Sequence, residues 1–157
     1  MIYFIQPGSD MMADDYKYEA ITNTVNTKGV MGSGIAKLFI DKYPYTCGMF
    51  NYLCTRDSLE GGTVRIYPNK DLESNTNPKY LVMFATKADY KDPSEYEYIE
   101  IGLKTLMEKI KELQIKSIAI PPLGCGLGGL EWSKVKPMII EAITPLADVC
   151  DFFIYEQ

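Results

Sequence analysis

The sequence contains no histidine, and this removes a whole class of catalytic chemistry. Without an imidazole there is no Ser-His or Cys-His nucleophile, and the usual general base near neutral pH is missing. Any reaction must therefore use lysine, aspartate, glutamate, tyrosine, backbone groups or the substrate itself.

Cysteines are few, and they are scattered over positions 47, 54, 125 and 150. No two of them form a CxxC pair and nitrogen ligands are missing, so we expect no metal and no cofactor. The amino-terminal residues lack the basic segment and the small-residue cleavage site of a signal peptide. We therefore expect free thiols in a reducing compartment and a cytoplasmic location.

Long apolar runs and an excess of positive charge are also absent. The longest apolar stretches, 81–85 and 118–123, are far short of the roughly 20 residues that span a bilayer, so no membrane partner is expected. The net charge of -5 argues against tight nonspecific binding to a phosphate backbone, although it does not exclude a nucleic acid that carries a small tag. The length of 157 residues predicts one domain, residues 1–157, which we expect to be a monomer.

Strand patterns alternate with helix patterns along the chain. Strands are predicted over residues 2–6, 18–25, 63–67, 80–86, 116–121 and 149–155. Helices are predicted over 35–43, ended by Pro44; over 94–113, capped by Ser94; and over 133–146, with Pro137 in the first turn. This alternation predicts an α/β sheet covered on both faces, with any ligand beyond the carboxyl ends of its strands.

Two glycine-rich segments each follow a strand and precede a helix. In GVMGSG, residues 29–34, backbone N–H groups at a helix start suit a diphosphate, although a tight turn without a ligand would have the same sequence. GCGLGG, residues 124–129, has more glycines than a turn needs, which indicates close approach of a ligand to the backbone. We expect the two segments to meet at one crevice.

These motifs together resemble the macrodomain, an ADP-ribose-binding module. The resemblance rests on NTVNTKGVMGSGIA (23–36), FATK (84–87) and GCGLGGLEW (124–132), and it covers essentially the whole chain. It implies a three-layer α/β/α fold with a central mixed sheet. Within the family, the motifs are similar to the branch that contains the DarG antitoxins, which remove ADP-ribose from DNA, and the human terminal ADP-ribose protein glycohydrolase.

The resemblance also implies roles for particular residues. A lysine at the end of the central strand is catalytic in that branch, and Lys87 occupies the matching place. Lys87 also ends an apolar strand at the expected ligand edge, where partial burial would favour a neutral, nucleophilic amine; a solvated strand-end lysine is the alternative. Asn26 resembles the asparagine that contacts the distal ribose. The remaining predicted ligand contacts lie in the two glycine-rich segments: Val30, Met31, Gly32, Ser33, Gly34, Gly124, Cys125, Gly126, Leu127 and Gly128.

Gly128 departs from the human relative, which has an aspartate there as part of its proposed acid/base pair with the lysine. The DarG pattern has glycine at this place, so the DNA-directed branch fits better. Three acidic residues, Asp10, Asp14 and Asp15, are left open as adenine partners. The tyrosines between Tyr90 and Tyr98 are expected to decorate a loop and a helix start, with stacking on a nucleobase as the alternative.

The predicted function is hydrolysis of ADP-ribosyl linkages. A DNA base is the first choice of acceptor and a protein carboxylate ester is the second, with a cognate toxin as a candidate partner. An ADP-ribose 1''-phosphate phosphatase and a non-catalytic reader of ADP-ribose are the alternatives.

Overall fold

A six-stranded sheet forms the centre of the molecule. The computed structural model describes residues 1–157, and its strands lie in the order β1-β6-β5-β2-β4-β3. Neighbouring strands are parallel except for β3 and β4, which are antiparallel, so the sheet is mixed as predicted. The strands are β1 (Ile2–Ile5), β2 (Ala20–Asn26), β3 (Val64–Pro68), β4 (Tyr80–Lys87), β5 (Ser117–Ile120) and β6 (Asp151–Tyr155).

Helices cover both faces of the sheet. α1 (Gly34–Lys42) and α2 (Pro44–Arg56) pack on one face, while α3 (Tyr96–Leu113) and α4 (Trp132–Ile143) pack on the other. The central strands supply both cores because successive side chains of a strand point to opposite faces. In β4, for instance, Met83 is buried against α1 and α2, and its neighbour Phe84 is buried against α3 and α4. The predicted three-layer α/β/α fold is confirmed.

Helix α2 is absent from the sequence-based prediction. Pro44 is expected there to end a helix, but it begins α2 instead. A proline at this position loses no hydrogen bond, because the first N–H groups of a helix have no intrahelical acceptor. The buried residues Thr46, Cys47 and Phe50 have helical spacing, and this was the available signal.

Two further helix positions differ from expectation. Glu95, and not Ser94, precedes the first residue of α3, and Ser94 is buried. Since α4 begins at Trp132, Pro137 lies beyond its first turn, where the ring removes the N–H that would bond to the Ser133 carbonyl. None of the helices is both long and apolar enough to cross a membrane.

The central strands β2, β4 and β5 run in the same direction and therefore end at one edge of the sheet. Three connecting segments leave that edge: the first loop (residues 27–33), the wall segment (88–94) and the second loop (121–131). In an open α/β sheet this is the edge at which ligands bind.

Candidate functional site

A cleft of about 1060 Å³ lies at this edge of the sheet, between the two loops and the wall segment. Its volume is slightly above the usual range for small-molecule pockets, which leaves room for a ligand of dinucleotide size. All but two of the predicted site residues line it: Asn26, Val30, Gly32, Ser33, Gly34, Lys87, Gly124, Gly126, Leu127 and Gly128.

The two exceptions, Met31 and Cys125, point their side chains into the protein. Met31 is buried in the core beneath α1 and α2. The Cys125 thiol donates to the Leu123 carbonyl, and burial raises the pKa of that thiol to about 11, so it is not a thiolate at neutral pH. The backbone of Cys125 is also occupied, because its N–H donates to Pro122 and its carbonyl accepts from Gln157.

Asn26 shapes the first loop. Its Oδ1 accepts the N–H groups of Lys28 at 3.0 Å and Val30 at 3.2 Å, and its Nδ2 donates to the Val30 carbonyl at 2.8 Å. An amide nitrogen carries two hydrogens, so one hydrogen of Nδ2 remains for a ligand. Asn26, which is predicted to contact a ribose, therefore also holds the first loop in its conformation.

Backbone N–H groups without a protein acceptor lie on both sides of the cleft. They cluster at the start of α1 and in the tip of the second loop: Gly32, Ser33, Gly34, Ile35, Ala36, Gly126, Leu127 and Gly128. Gly34 begins α1 with a φ of +61°, a conformation that costs a glycine little. Unpaired N–H groups at a helix start and in a facing loop form a cradle for an anion, and two such sets suit a diphosphate.

The Leu127 side chain approaches the first loop from the second. A Cβ placed on Gly34 would lie 3.7 Å from Leu127 Cδ1, so the two loops are in near contact across the cleft. Leu127 is 74% exposed, although it is a large apolar residue. An apolar side chain in this position can cover a ligand held between the loops.

Lys87 ends β4 and lies in the cleft. Its Nζ is 3.4 Å from the Leu127 carbonyl, and no carboxylate lies within ion-pair distance of it. The backbone at this strand end is fixed by Thr27, whose N–H donates to the Lys87 and Ala88 carbonyls. The lysine therefore presents its amine to the cleft and not to bulk solvent alone.

Gly128 has no room for a side chain. A Cβ at this position would meet Ser94 Oγ and the Gly124 carbonyl oxygen more closely than real Cβ atoms ever approach other atoms. Ser94 is tied to the same place, because its N–H donates to the Gly128 carbonyl at 3.0 Å. An aspartate like that of the human relative does not fit here unless the loop backbone shifts.

The acidic residues left open as adenine partners do not line the cleft. Asp10 accepts the N–H groups of Met12 and Ala13, Asp14 pairs with a lysine, and the buried Asp15 is bonded to Tyr43 and Lys42. Their side chains are thus engaged in local structure. The one acidic side chain that lines the cleft is that of Asp92, in the wall segment.

The cleft lining also includes residues that were not predicted from the sequence, namely Thr24, Val25, Ile35, Ala36, Thr86, Lys91, Asp92, Pro93, Ser94, Pro121, Pro122 and Gln157. The wall segment carries no glycine pattern, and its only signal was its place directly after a central strand. Trp132 is, as expected, a packing residue at the start of α4, where it contacts the core.

Comparisons with known proteins agree with the fold. The Macro domain family model matches residues 22–139, and this chain belongs to that family. A DNA ADP-ribosyl glycohydrolase from Thermus aquaticus is 42% identical over 88% of this chain. The chain spans 37% of that relative's length.

Solved structures of the predicted branch are also similar. The macrodomain of Mycobacterium tuberculosis DarG has a TM-score of 0.90 and 36% identity, covering 100% of this chain and 98% of that one. Thermosipho africanus DarTG in complex with ADP-ribose has a TM-score of 0.83 and 34% identity, covering 98% of this chain and 41% of that one. The predicted resemblance to the DarG branch is confirmed.

Proposed function

We propose that this chain binds ADP-ribose in the cleft and hydrolyses the bond between the distal ribose and a DNA base. The diphosphate would bind the free N–H groups of the two loops. The similar Thermosipho structure, which is in complex with ADP-ribose, supports ADP-ribose as the ligand. The name of the Thermus relative supports DNA as the acceptor, with a protein carboxylate ester as the second choice. The predicted monomeric state and the cognate toxin partner stay predictions.

The observation that carries the catalytic part of this proposal is the position of Lys87. Its amine lies in the cleft beside the second loop and has no carboxylate partner. Water adds its hydroxyl to the anomeric carbon, the glycosidic bond breaks, and the departing base takes up a proton. Lys87 assists at that carbon as a proton-transfer group, or as a nucleophile whose bond to the carbon is then broken by water. No histidine exists, no acid fits at Gly128, and the one acid that lines the cleft, Asp92, lies in the wall segment.

Replacement of Lys87 tests this role. We expect Lys87→Ala to keep ADP-ribose affinity within about tenfold, a change of about 1.4 kcal/mol. Release of ADP-ribose from DNA should fall by about two orders of magnitude or more, the scale of a positioned acid/base group. Lys87→Arg should not restore it, because a guanidinium stays protonated. Lys104→Ala, which removes the same charge from an exposed position on α3, is the matched control.

The substrate is tested by incubating the wild-type chain with ADP-ribosylated DNA, ADP-ribosylated protein and ADP-ribose 1''-phosphate in parallel. A phosphomonoesterase without a metal needs an in-line nucleophile and a proton donor. The two loops offer neither a histidine nor an acid at Gly128, so we expect release of phosphate from ADP-ribose 1''-phosphate to be slow or absent. Robust phosphate release with DNA and protein untouched would establish the phosphatase instead. If Lys87→Ala acts on ADP-ribosylated DNA at the wild-type rate, the lysine has no part in the mechanism. If the wild-type chain binds ADP-ribose but turns over none of the substrates, it is a non-catalytic reader of ADP-ribose.

A further inference from the structure

The wall segment is a fixed turn directly after Lys87. Its start is held by Thr27, whose N–H and hydroxyl both donate to the Ala88 carbonyl. Inside the turn, Asp89 Oδ1 accepts the Lys91 N–H at 3.1 Å, and the Asp89 carbonyl accepts the Asp92 N–H at 3.0 Å. Its other end is bonded to the second loop, where the Ser94 N–H donates to the Gly128 carbonyl, so the backbone of the segment is held beside the cleft at both ends.

Tyr90, at the tip of this turn, is the one aromatic side chain that lines the cleft. It is 51% exposed, and its hydroxyl makes no hydrogen bond within the protein. The Lys91 amine lies 5.5 Å from the centroid of its ring. An exposed aromatic ring beside a basic side chain is the combination that binds single-stranded nucleic acid, where bases stack on rings and phosphates meet cations.

The charges around the cleft indicate what kind of nucleic acid could bind there. Lys87 and Lys91 have no carboxylate within ion-pair distance, but Asp89 and Asp92 lie in the same turn, and the whole chain carries -5. Long phosphate tracts of a duplex would not be attracted to this region. Binding of one stacked base and one phosphate requires only one aromatic ring and one lysine, and no wider basic surface.

We propose that Tyr90 stacks on the base next to the ADP-ribosylated one and that Lys91 contacts the phosphate between them. The substrate is then a single-stranded stretch of at least two nucleotides, and the wall segment selects it over a protein. This inference rests on the proposed function, because it assumes that the acceptor leaves the cleft beside Lys87. Tyr90 and Lys91 would set substrate preference without taking part in bond cleavage.

The test compares an ADP-ribosylated nucleoside with an ADP-ribosylated single-stranded tetranucleotide. For the wild-type chain, we expect kcat/KM to be about tenfold or more higher on the tetranucleotide, which is the scale of one stacked base. Tyr90→Ala should abolish this preference and Tyr90→Phe should keep it, since stacking needs the ring and not the hydroxyl. Lys91→Ala should reduce the preference and flatten its dependence on salt.

Tyr52→Ala is the matched control. Tyr52 lies on α2, is 63% exposed and has the Arg56 guanidinium 5.7 Å from its ring centroid, so it copies the aromatic-cation pair away from the cleft. We expect it to leave the tetranucleotide preference unchanged. Binding of the tetranucleotide to Lys87→Ala, with and without Tyr90→Ala, measures the same contact when no turnover occurs.

The outcomes separate the two proposals. If the wild-type chain releases ADP-ribose from no nucleic acid, the proposed function fails. If it acts equally on nucleoside and tetranucleotide, or if Tyr90→Ala keeps the preference in both turnover and binding, the stacking inference is overturned while the function stands. A duplex substrate that is cleaved as fast as the single strand would also overturn the inference.

Discussion

Gly128 and Gly126 lie two residues apart in the second loop but have opposite surroundings. A Cβ on Gly128 would collide with Ser94 Oγ and the Gly124 carbonyl, whereas a Cβ on Gly126 would meet nothing within 4 Å. Neither residue has a positive φ, so backbone conformation does not separate them. The pair Gly128→Ala and Gly126→Ala therefore isolates the effect of packing.

The expected magnitudes follow from these contacts. Forcing a methyl group into packed surroundings costs about 1–3 kcal/mol, and at about 2–4 °C per kcal/mol for a chain of this size Gly128→Ala should lower the Tm by roughly 2–12 °C. Gly126→Ala should stay within about 1 kcal/mol of the wild type, or gain slightly, because alanine reduces the freedom of the unfolded chain. Gly128→Asp, which carries the side chain of the human relative, should be less stable than Gly128→Ala.

Thermal unfolding monitored by circular dichroism measures these differences in Tm. Calorimetry with ADP-ribose measures whether each substitution in the second loop changes ligand binding. Ser94→Ala provides an internal check. It removes one of the two atoms that block position 128, so Gly128→Ala should lose less stability in the Ser94→Ala background, with the Gly124 carbonyl preventing full recovery. If Gly128→Ala unfolds at the wild-type Tm, or if Gly126→Ala lowers the Tm equally far, then packing around position 128 does not require glycine there.

Two further predictions concern the first loop and the thiols. Gly32 also has open space where a Cβ would lie and no positive φ, so Gly32→Leu should fold with a near-normal Tm yet lose the thermal stabilisation by ADP-ribose; a retained shift would place the ligand elsewhere. Burial raises the pKa of the Cys47, Cys125 and Cys150 thiols to about 12, 11 and 12, from an ordinary value of 9.0. The unfolded thiols lose their protons first, so their contribution to the free energy of unfolding should be constant below about pH 9 and fall as pH rises from there towards 12, as urea midpoints at alkaline pH would show. A midpoint that does not move between about pH 8 and 10.5 would contradict this burial.

The sequence predicted the sheet and the two glycine-rich sides of the cleft because their signals are local. Apolar runs defined the strands, and each glycine-rich segment stood between a strand and a helix, so its position at the ligand edge followed from parallel topology. Whether a loop side chain points into the cleft or into the core could not be predicted from these local patterns. Met31 and Cys125 have the same sequence context as their cleft-lining neighbours, and only the path of the loop turns them inward.

The position of Ser94 depends on a contact between distant segments, whereas α2 had a local signal that was outweighed by the presence of Pro44. Ser94 has the residue type of a helix cap, but its burial against Gly124 and Gly128 is a tertiary contact that no local pattern encodes. Pro44 is a helix breaker in most positions but fits the first turn of a helix, and the helical spacing of Thr46, Cys47 and Phe50 was the local signal for α2. The adenine-binding residue stays open, since the three candidate aspartates are engaged elsewhere.

The hydrogen bonds at the two ends of the wall segment have a mechanical consequence. One end is bonded to Thr27 in the first loop, and the other is bonded to Gly128 in the second. The segment thus connects the two loops that supply the free N–H groups. A displacement of either loop relative to the segment would have to strain or break one of these hydrogen bonds. The relative position of the two loops therefore depends on the same short segment that carries Tyr90 and Lys91.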